Sequence, residues 1–245
     1  MPDDRVLADL AHWNTPTIYN GWEAMTSAER TSLRCNREPV VDYLPEAGSI
    51  VGYAVTLVIE PTNPRWPREL PDAPEAYRAY VAAGPGPKVV VVQDLDRVTL
   101  GSFWGEVNSN VHRALGCVGA ITDGAIRDLD EVRAMGFKHL ARRLCVGHAY
   151  AHPVRWGVPV EVFGVEVRPG DLIHADQHGF LVIPEEDVAG LAEATAFLDG
   201  AERETVIGVA AGHRGTPEEA LPKLGDARRR FKEMVARRFG GRGEP

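Results

Sequence analysis

Apolar runs constrain the fold of this chain more than any other feature of its sequence. SIVGYAVTLVIEP (49–61) is rich in β-branched residues and stops at proline, which predicts a strand. KVVVVQDLD (88–96) and CVGAIT (117–122) contain continuous apolar runs, as is typical of strands buried on both faces. The segment 104–115 between two of these runs predicts a helix that ends at Gly116. This alternation of strand and helix predicts an α/β fold.

A different pattern follows further along the chain. The segment VPVEVFGVEVRPGDLIHADQHGFLVIP (158–184) consists of short β runs separated by glycine and proline, which predicts a meander of tight hairpins. From Glu185 the pattern is mostly helical to the end. We therefore expect a single domain over 1–245 that has a β-hairpin section and a helical C-terminal extension from about residue 185.

The beginning of the chain predicts two helices, over residues 4–12 and about 17–29. Thr15 and Thr17 are candidate caps of the second helix, because threonine side chains accept hydrogen bonds from the first free amides of a helix. Pro16 near its start fits the same boundary, since proline is tolerated in the first turn.

Composition excludes several classes of function. The 245 residues carry 35 acidic and 27 basic side chains, a net charge of −8, whereas nucleic-acid binding favours a basic face. The three cysteines are odd in number and form no CxxC pair, so neither a disulfide framework nor a zinc ribbon is indicated. No apolar run approaches the ~18 residues of a membrane span, and the acidic N-terminus lacks a signal-peptide core. We expect a soluble cytoplasmic protein with no nucleic-acid or membrane partner.

The most informative segment is WGEVNSNVHRALGCVGAITDGAIRD (104–128). Gly105 precedes a helix start, where free N–H groups and the helix dipole favour an anion such as a carboxylate. The following apolar run ends in Asp123-Gly124, a turn pair, and then in Arg127 and Asp128. Neighbouring residues point in different directions, so these two are poorly placed to pair with each other. One interpretation is that the carboxylate-binding loop and this strand end share one pocket. The alternative is a solvated turn in which Asp128 caps a helix.

Other chemistries are less well supported by the sequence. His148 and His152 in HAYAH are four residues apart, but zinc usually needs a third ligand and the stretch is not clearly helical. A lysine Schiff base is the metal-free route to carbon–carbon cleavage, yet nothing marks any of the four lysines, Lys138 included, as a nucleophile. No strand–GxGxxG–helix unit is present, so nucleotide binding of Rossmann type is not indicated.

Nearly the whole chain resembles the family that joins the 4-hydroxy-4-methyl-2-oxoglutarate aldolases to the regulator of ribonuclease activity A. TPTIYNGWEAM resembles its N-terminal helix, and SIVGYAVTLVIEP its first core strand. The family's Gly-Asp loop and its (V/I)xDGxxRD strand end match WGEVNSNVHRALGCVGAITDGAIRD. The family's hairpin motif GVxVxPGDLxxADxxGVxxxP matches GVEVRPGDLIHADQHGFLVIPEED. The resemblance implies an α/β/α swivelling-type domain that assembles as a homotrimer or homohexamer.

The resemblance also implies an activity. Family aldolases are metal-dependent (class II type) lyases that use Mg²⁺, Mn²⁺ or another divalent cation. They release pyruvate from 4-hydroxy-2-oxo acids by retro-aldol cleavage, or from oxaloacetate by decarboxylation. The other branch of the family implies the alternative, a non-catalytic regulator that binds a ribonuclease or another protein.

Site residues follow from the same resemblance. Asp128 is implied to anchor the metal, largely through waters, and Arg127 to contact the pyruvoyl group. The backbone amides of the loop Gly105-Glu106-Val107-Asn108 are implied to receive the substrate carboxylate. Glu106 stands where the family has a catalytic aspartate that helps to position water. Glutamate is one methylene longer than aspartate, which puts substrate range or activity in question. A catalytic group that moves by about an ångström can cost about 10²-fold in rate. A glutamate of the neighbouring subunit completes the family's metal site; Glu202 fits its spacing best, with Glu204 as the alternative.

Overall fold

The structure is a computed structural model that describes residues 4–240. The chain divides into two compact units, one formed by residues 33–185 and the other by the residues before and after them. The first unit contains the β-sheets, and the second is helical. The prediction of one domain over 1–245 stays a prediction, and its first three and last five residues lie outside the described chain.

The sheet unit is built around one large mixed sheet. Within residues 4–240 the strands are β1 (Arg34–Cys35), β2 (Val41–Asp42), β3 (Ile50–Ile59), β4 (Lys88–Asp94), β5 (Ser102–Trp104), β6 (Cys117–Ile126), β7 (Lys138–Leu144), β8 (Pro153–Trp156), β9 (Val160–Val162), β10 (Val165–Val167), β11 (Leu172–Asp176) and β12 (Gly179–Ile183). The strand order is β1-β12-β11-β3-β4-β6-β7-β2, with β5 beside β6 and β8 beside β3. Neighbours among β3, β4, β6 and β7 pair in parallel, as expected for the apolar runs of β3, β4 and β6, whereas the flanking β11 and β2 pair antiparallel.

Within residues 33–185, helices cover one face of this sheet. The helices within residues 4–240 are α1 (Asp4–Ala11), α2 (Thr15–Met25), α3 (Trp66–Glu69), α4 (Ala73–Ala83), α5 (Glu106–Ala114), α6 (Leu129–Met135), α7 (Leu191–Glu202), α8 (Gly208–Gly212) and α9 (Pro217–Phe239). Tyr77 of α4 packs in one core with Val90 and Val92 of β4. The alternate valines, Val89 and Val91, pack in a second core with the β9–β10 hairpin. The predicted α/β class is confirmed, and within the sheet unit a hairpin covers the face opposite the helices.

The predicted hairpins are present. Phe163 and Gly164 connect β9 to β10, and both have positive φ angles, 48° and 73°. Two consecutive positive φ angles are the mark of the type I′ turn, which matches the twist of paired strands and favours glycine in its second position. β11 and β12 form the second antiparallel hairpin, with Asp176 opposite Gly179 at its turn.

The pair Asp123-Gly124 corrects the sequence prediction. It lies inside β6 rather than in a turn, at a register shift in the pairing with β7 between Thr122 and Ala125. The Gly124 amide donates to Thr122 Oγ1 at 3.0 Å, and Asp123 Oδ1 accepts from the amide of Asp94 on β4 at 2.8 Å. These local bonds accommodate the irregularity without ending the strand. The strand therefore continues to Ile126.

The helical unit has a core of its own, formed by Ala24 of α2, Leu198 and Ala201 of α7, and Phe231 and Val235 of α9. The predicted helical character after Glu185 is confirmed up to residue 240. None of the helices within residues 4–240 has the length and apolarity that a membrane crossing requires.

The cap of α2 differs from the prediction. Asn14, rather than Thr15 or Thr17, occupies the cap position, and its Oδ1 accepts from the Thr17 amide at 2.9 Å. The helix includes Thr15 and ends at Met25, which moves both predicted boundaries towards the N-terminus. Asparagine and threonine are both good caps, so the residue type alone left the boundary open.

Candidate active site

The residues at the end of β6 line an open pocket of about 690 Å³. Arg127 and Asp128 contribute from the end of β6, Arg143 and Cys145 from the end of β7, and Thr99 from the loop after β4. These three strands are parallel, so their carboxyl ends meet at one edge of the sheet. In open α/β sheets this edge is where ligands bind.

Arg127 and Asp128 lie closer together than the sequence predicted. Arg127 Nε is 3.8 Å from Asp128 Oδ2, which is a loose ion pair and too long for a hydrogen bond. Asp128 has a left-handed backbone, with φ 58° and ψ 49°, so the alternating side-chain directions of the strand no longer apply to it. Because the side chains remain 36% and 30% exposed, both groups keep the capacity to contact a ligand.

Asp128 joins the strand end to helix α5. Its Oδ2 accepts a hydrogen bond from the Glu106 amide at 3.0 Å, at the start of that helix. Asp128 also stands at the cap position of α6, but its side chain makes no capping bond there. The alternative prediction of a helix cap at Asp128 is therefore confirmed in position, but the carboxylate binds the first amide of α5 and makes no capping bond to α6.

Gly105 permits this approach because it has no side chain. A Cβ at this position would collide with Asp128 Oδ2 and would lie 3.2 Å from Arg127 Cγ. The backbone at Gly105 is extended, with φ −176°, so alanine fits its backbone conformation but not the space. The structure thus places Gly105 and Glu106 directly beside Arg127 and Asp128, and the roles predicted for these residues stay predictions.

The rest of the predicted loop contributes through its backbone. The Val107 side chain is 73% exposed, and Asn108 Nδ2 donates back to the Phe103 carbonyl at 2.6 Å. Neither side chain lines the 690 Å³ pocket, and the Glu106 side chain does not line it either. The amides of Val107 and Asn108 make no hydrogen bond within residues 4–240. These two first-turn N–H groups are therefore available to an anion.

The donor set fits a hydrated hard cation but not a closed metal cage. Among residues 4–240, no group of three or more His, Cys, Asp or Glu side chains is placed to hold a metal ion. The His152 ring contacts the Leu70 carbonyl at 2.8 Å, and the His148 ring contacts the Ala149 carbonyl, so this pair forms no metal site. Asp128 Oδ1 makes no hydrogen bond within the described chain. Mg²⁺ keeps several waters and needs few protein ligands, so one free carboxylate oxygen suits it.

Glu202 and Glu204 lie in the helical unit, where α7 passes into a π-helical segment, Arg203–Ile207. Glu204 Oε1 is 3.4 Å from Arg230 Nη2. Glu202 makes no ion pair or hydrogen bond within residues 4–240, and burial raises its pKa above the ordinary value. Of the two predicted glutamates, Glu202 therefore has the more available carboxylate.

A second cavity next to the pocket was not predicted. It measures about 470 Å³ and includes Asp94 and Asp123, and Thr99 and Arg143 line both cavities. Burial raises the pKa of Asp94 to about 7 and that of Asp123 to about 6. Asp94 Oδ2 is buried and has no hydrogen-bond partner within the described residues. The sequence signal was the charged stretch QDLDR directly after an apolar strand.

Lys138 is excluded as a free nucleophile by its surroundings. Its side chain is fully buried, and its Nζ lies 2.6 Å from Asp42 Oδ2 and 2.9 Å from the Leu44 carbonyl. A Schiff base needs an amine that a substrate can reach, whereas this Nζ is enclosed and already bound to a carboxylate and a carbonyl. This agrees with the sequence, which marked no lysine as reactive.

Comparison with known proteins places these features in a family context. The family model described as RraA-like, Aldolase/RraA, matches residues 15–182. A Deinococcus radiodurans protein is 34% identical over 145 residues, and the match covers 55% of this chain and 78% of that protein. A Halalkalibacterium halodurans protein is 31% identical over 135 residues, and the match covers 53% of this chain and 62% of that protein. Both have the provisional name 4-hydroxy-4-methyl-2-oxoglutarate aldolase. The chain spans less than two thirds of the length of the first curated relatives that it matches.

The fold is shared with a solved structure. Streptomyces coelicolor RraAS2, described as an unusual member of the RNase ES inhibitor RraA protein family, superposes with a TM-score of 0.64. The two sequences are 24% identical, and the match covers 83% of this chain and 95% of that one. At this identity the likeness shows the fold. The family model ends at residue 182, so Glu202 lies beyond the matched region.

Proposed function

The chain belongs to the RraA-like (Aldolase/RraA) family, and we propose that it is a lyase that releases pyruvate from a 4-hydroxy-2-oxo acid, from oxaloacetate, or from both. The observation that carries the proposal is that Arg127 and Asp128 line one open pocket at the carboxyl edge of the sheet, with Gly105 packed against both side chains. The aldolase names of the Deinococcus and Halalkalibacterium relatives support the same class of reaction.

The chain's own groups suit this chemistry. Cleavage of the bond between C3 and C4 leaves the enolate of pyruvate, whose oxygen carries the developing negative charge. Arg127, held only loosely by Asp128, is the cation that stabilises that charge. The free amides of Val107 and Asn108 receive the substrate carboxylate. Loss of one such preorganised contact typically costs about 10²–10³ in rate.

A divalent cation, Mg²⁺ or Mn²⁺, would supply Lewis-acid polarisation of the substrate ketone when bound. Asp128 is the residue that would hold it, through its free oxygen and through waters. Glu202 of a neighbouring copy would complete the site, in a homotrimer or homohexamer formed by head-to-tail contacts. The unpaired carboxylate of Glu202 supports its assignment over Glu204.

The second candidate is a non-catalytic regulator that binds a ribonuclease or another protein. The fold likeness to RraAS2 favours it, together with Glu106 at the position of the family's catalytic aspartate. The Arg127–Asp128 pair with its open pocket favours the enzyme, because a protein-binding surface needs no such arrangement.

A pyruvate-release assay separates the two. The substrates are a panel of 4-hydroxy-2-oxo acids and oxaloacetate, each with Mg²⁺, with Mn²⁺, and with EDTA. We expect pyruvate with a divalent cation and none in EDTA. Tight binding of 2-oxo acids without turnover would support the regulator, and full activity in EDTA would contradict the metal-dependent lyase.

A further inference from the structure

Arg143 gives the candidate pocket an excess of positive charge. The charged side chains that line the 690 Å³ pocket are Arg127, Asp128 and Arg143. Arg127 and Asp128 oppose each other at 3.8 Å, so their charges largely cancel at a distance. Arg143 is exposed, and it forms no ion pair within residues 4–240; its Nε donates to the Leu144 carbonyl at 3.1 Å. The charge of Arg143 is therefore available to a ligand.

The acidic residues that line the neighbouring cavity, Asp94, Asp96 and Asp123, form no ion pair with Arg143 within the described chain. Asp94 Oδ1 accepts from the Asp96 amide at 3.0 Å, and Asp123 Oδ1 accepts from the Asp94 amide at 2.8 Å. Arg142 donates its Nε to the Asp123 carbonyl at 2.8 Å. Burial holds the pKa of Asp94 at about 7 and that of Asp123 at about 6, so part of their negative charge is absent near neutral pH.

We propose, on the basis of the function proposed above, that Arg143 determines specificity by binding the second carboxylate of a 2-oxo dicarboxylic acid. Arg127 and the amides at the start of α5 bind the 2-oxo acid end, and Arg143 lines the same pocket from the end of β7. A guanidinium offers a planar pair of donors that matches a carboxylate. The site thereby distinguishes a dicarboxylic substrate from a monocarboxylic one of the same length.

A binding experiment that needs no turnover tests this. 2-Oxoglutarate and 2-oxopentanoate have the same five-carbon 2-oxo acid skeleton and differ in the terminal carboxylate. Both are titrated calorimetrically, with Mg²⁺ present, into the wild-type protein, Arg143→Ala, Arg143→Lys and the control Arg133→Ala. Arg133 is an exposed arginine of α6 that faces Asp130 at 3.8 Å and does not line the pocket.

We expect the wild-type protein to bind 2-oxoglutarate more tightly than 2-oxopentanoate. Arg143→Ala should weaken 2-oxoglutarate binding by about 10- to 100-fold, the usual range for a charge-assisted hydrogen bond, and 2-oxopentanoate binding by less than about 3-fold. Arg143→Lys should restore part of the preference, since lysine keeps the charge but not the planar donor pair. Arg133→Ala should leave both affinities unchanged.

The result that overturns the proposal is an equal effect of Arg143→Ala on both ligands, or no effect on either. Absence of binding, or equal binding, of both ligands by the wild-type protein overturns it as well. A kinetic arm separates this failure from failure of the lyase assignment. If the protein cleaves 4-hydroxy-2-oxoglutarate and 4-hydroxy-2-oxopentanoate, and Arg143→Ala leaves the ratio of their kcat/KM values unchanged, the lyase stands and the role of Arg143 does not.

Discussion

Replacing Gly105 with alanine tests the packing on which the candidate site depends. Alanine fits the extended backbone at this position, where φ is −176°, so no backbone strain is introduced. Its Cβ, however, would occupy the space of Asp128 Oδ2 and would lie 3.3 Å from Arg127 Nε. The Asp128 carboxylate must then move away from α5 and give up its hydrogen bond to the Glu106 amide.

The size of the effect follows from two opposing contributions. A hydrogen bond to a charged group contributes about 1.5–3 kcal/mol to the free energy of unfolding. A glycine-to-alanine change at a compatible backbone gains about 0.4–1 kcal/mol by restricting the unfolded chain. We therefore expect Gly105→Ala to destabilise the protein by about 1–2 kcal/mol. Because Asp128 is also the proposed metal anchor, Mn²⁺ affinity should fall as well.

Urea unfolding and Mn²⁺ titration calorimetry measure the two effects. The control is Gly225→Ala, since Gly225 lies inside α9 with open space around its Cβ position. This control should stabilise the protein by about 0.5–1 kcal/mol and leave Mn²⁺ binding unchanged. A Gly105→Ala protein as stable as the wild type, with unchanged Mn²⁺ affinity, would refute the close packing of Asp128 against α5.

Three further predictions concern the same site and its surroundings. Asp128→Ala should lose Mn²⁺ binding in calorimetry, whereas Arg127→Ala should keep the metal and lose turnover; unchanged Mn²⁺ affinity in Asp128→Ala would place the metal elsewhere. Mixing inactive Glu202→Ala with inactive Asp128→Ala chains should restore part of the activity, because some shared sites receive both intact groups; no recovery in mixtures shown to exchange subunits would contradict the shared site. Asp94 has a folded-state pKa of about 7, raised by burial from 3.8, with Asp96, Asp123 and Arg142 as the other charged groups acting on it. The folded state thus binds more protons than the unfolded state between about pH 4 and pH 7, and stability falls as pH rises through that window. Asp94→Asn should reduce this fall in urea unfolding at pH 5 and pH 8, and an identical pH dependence in both proteins would show that Asp94 is not the group responsible.

The sequence predicted the core of the sheet because a strand that is buried on both faces needs apolar residues at successive positions. The valines of β4 alternate between two separate cores, so every position in the run had to be apolar. The charged residues at the end of β6 were predictable for a related reason. A polar pair directly after a buried strand reaches the sheet edge, where parallel strands end.

Other features depended on contacts between distant parts of the chain. Asp123-Gly124 has the composition of a turn, but its bonds to β4 keep it inside β6. Asp128 was an obvious cap for α6, yet its left-handed backbone directs the carboxylate to α5. Arg143 gave no local signal, because its role depends on which strand ends lie side by side.

The central claim is that the pocket at Arg127 stabilises the enolate formed in pyruvate release. The most direct measurement is kcat for the best 2-oxo acid substrate in the wild type, Arg127→Ala and the control Arg133→Ala, all with saturating Mg²⁺. We predict that Arg127→Ala lowers kcat by about 10²–10³-fold while its Mn²⁺ affinity and unfolding free energy stay close to those of the wild type, and that Arg133→Ala changes none of these quantities. A kcat in Arg127→Ala within about 3-fold of the wild-type value would contradict the claim and would place the chemistry at another site.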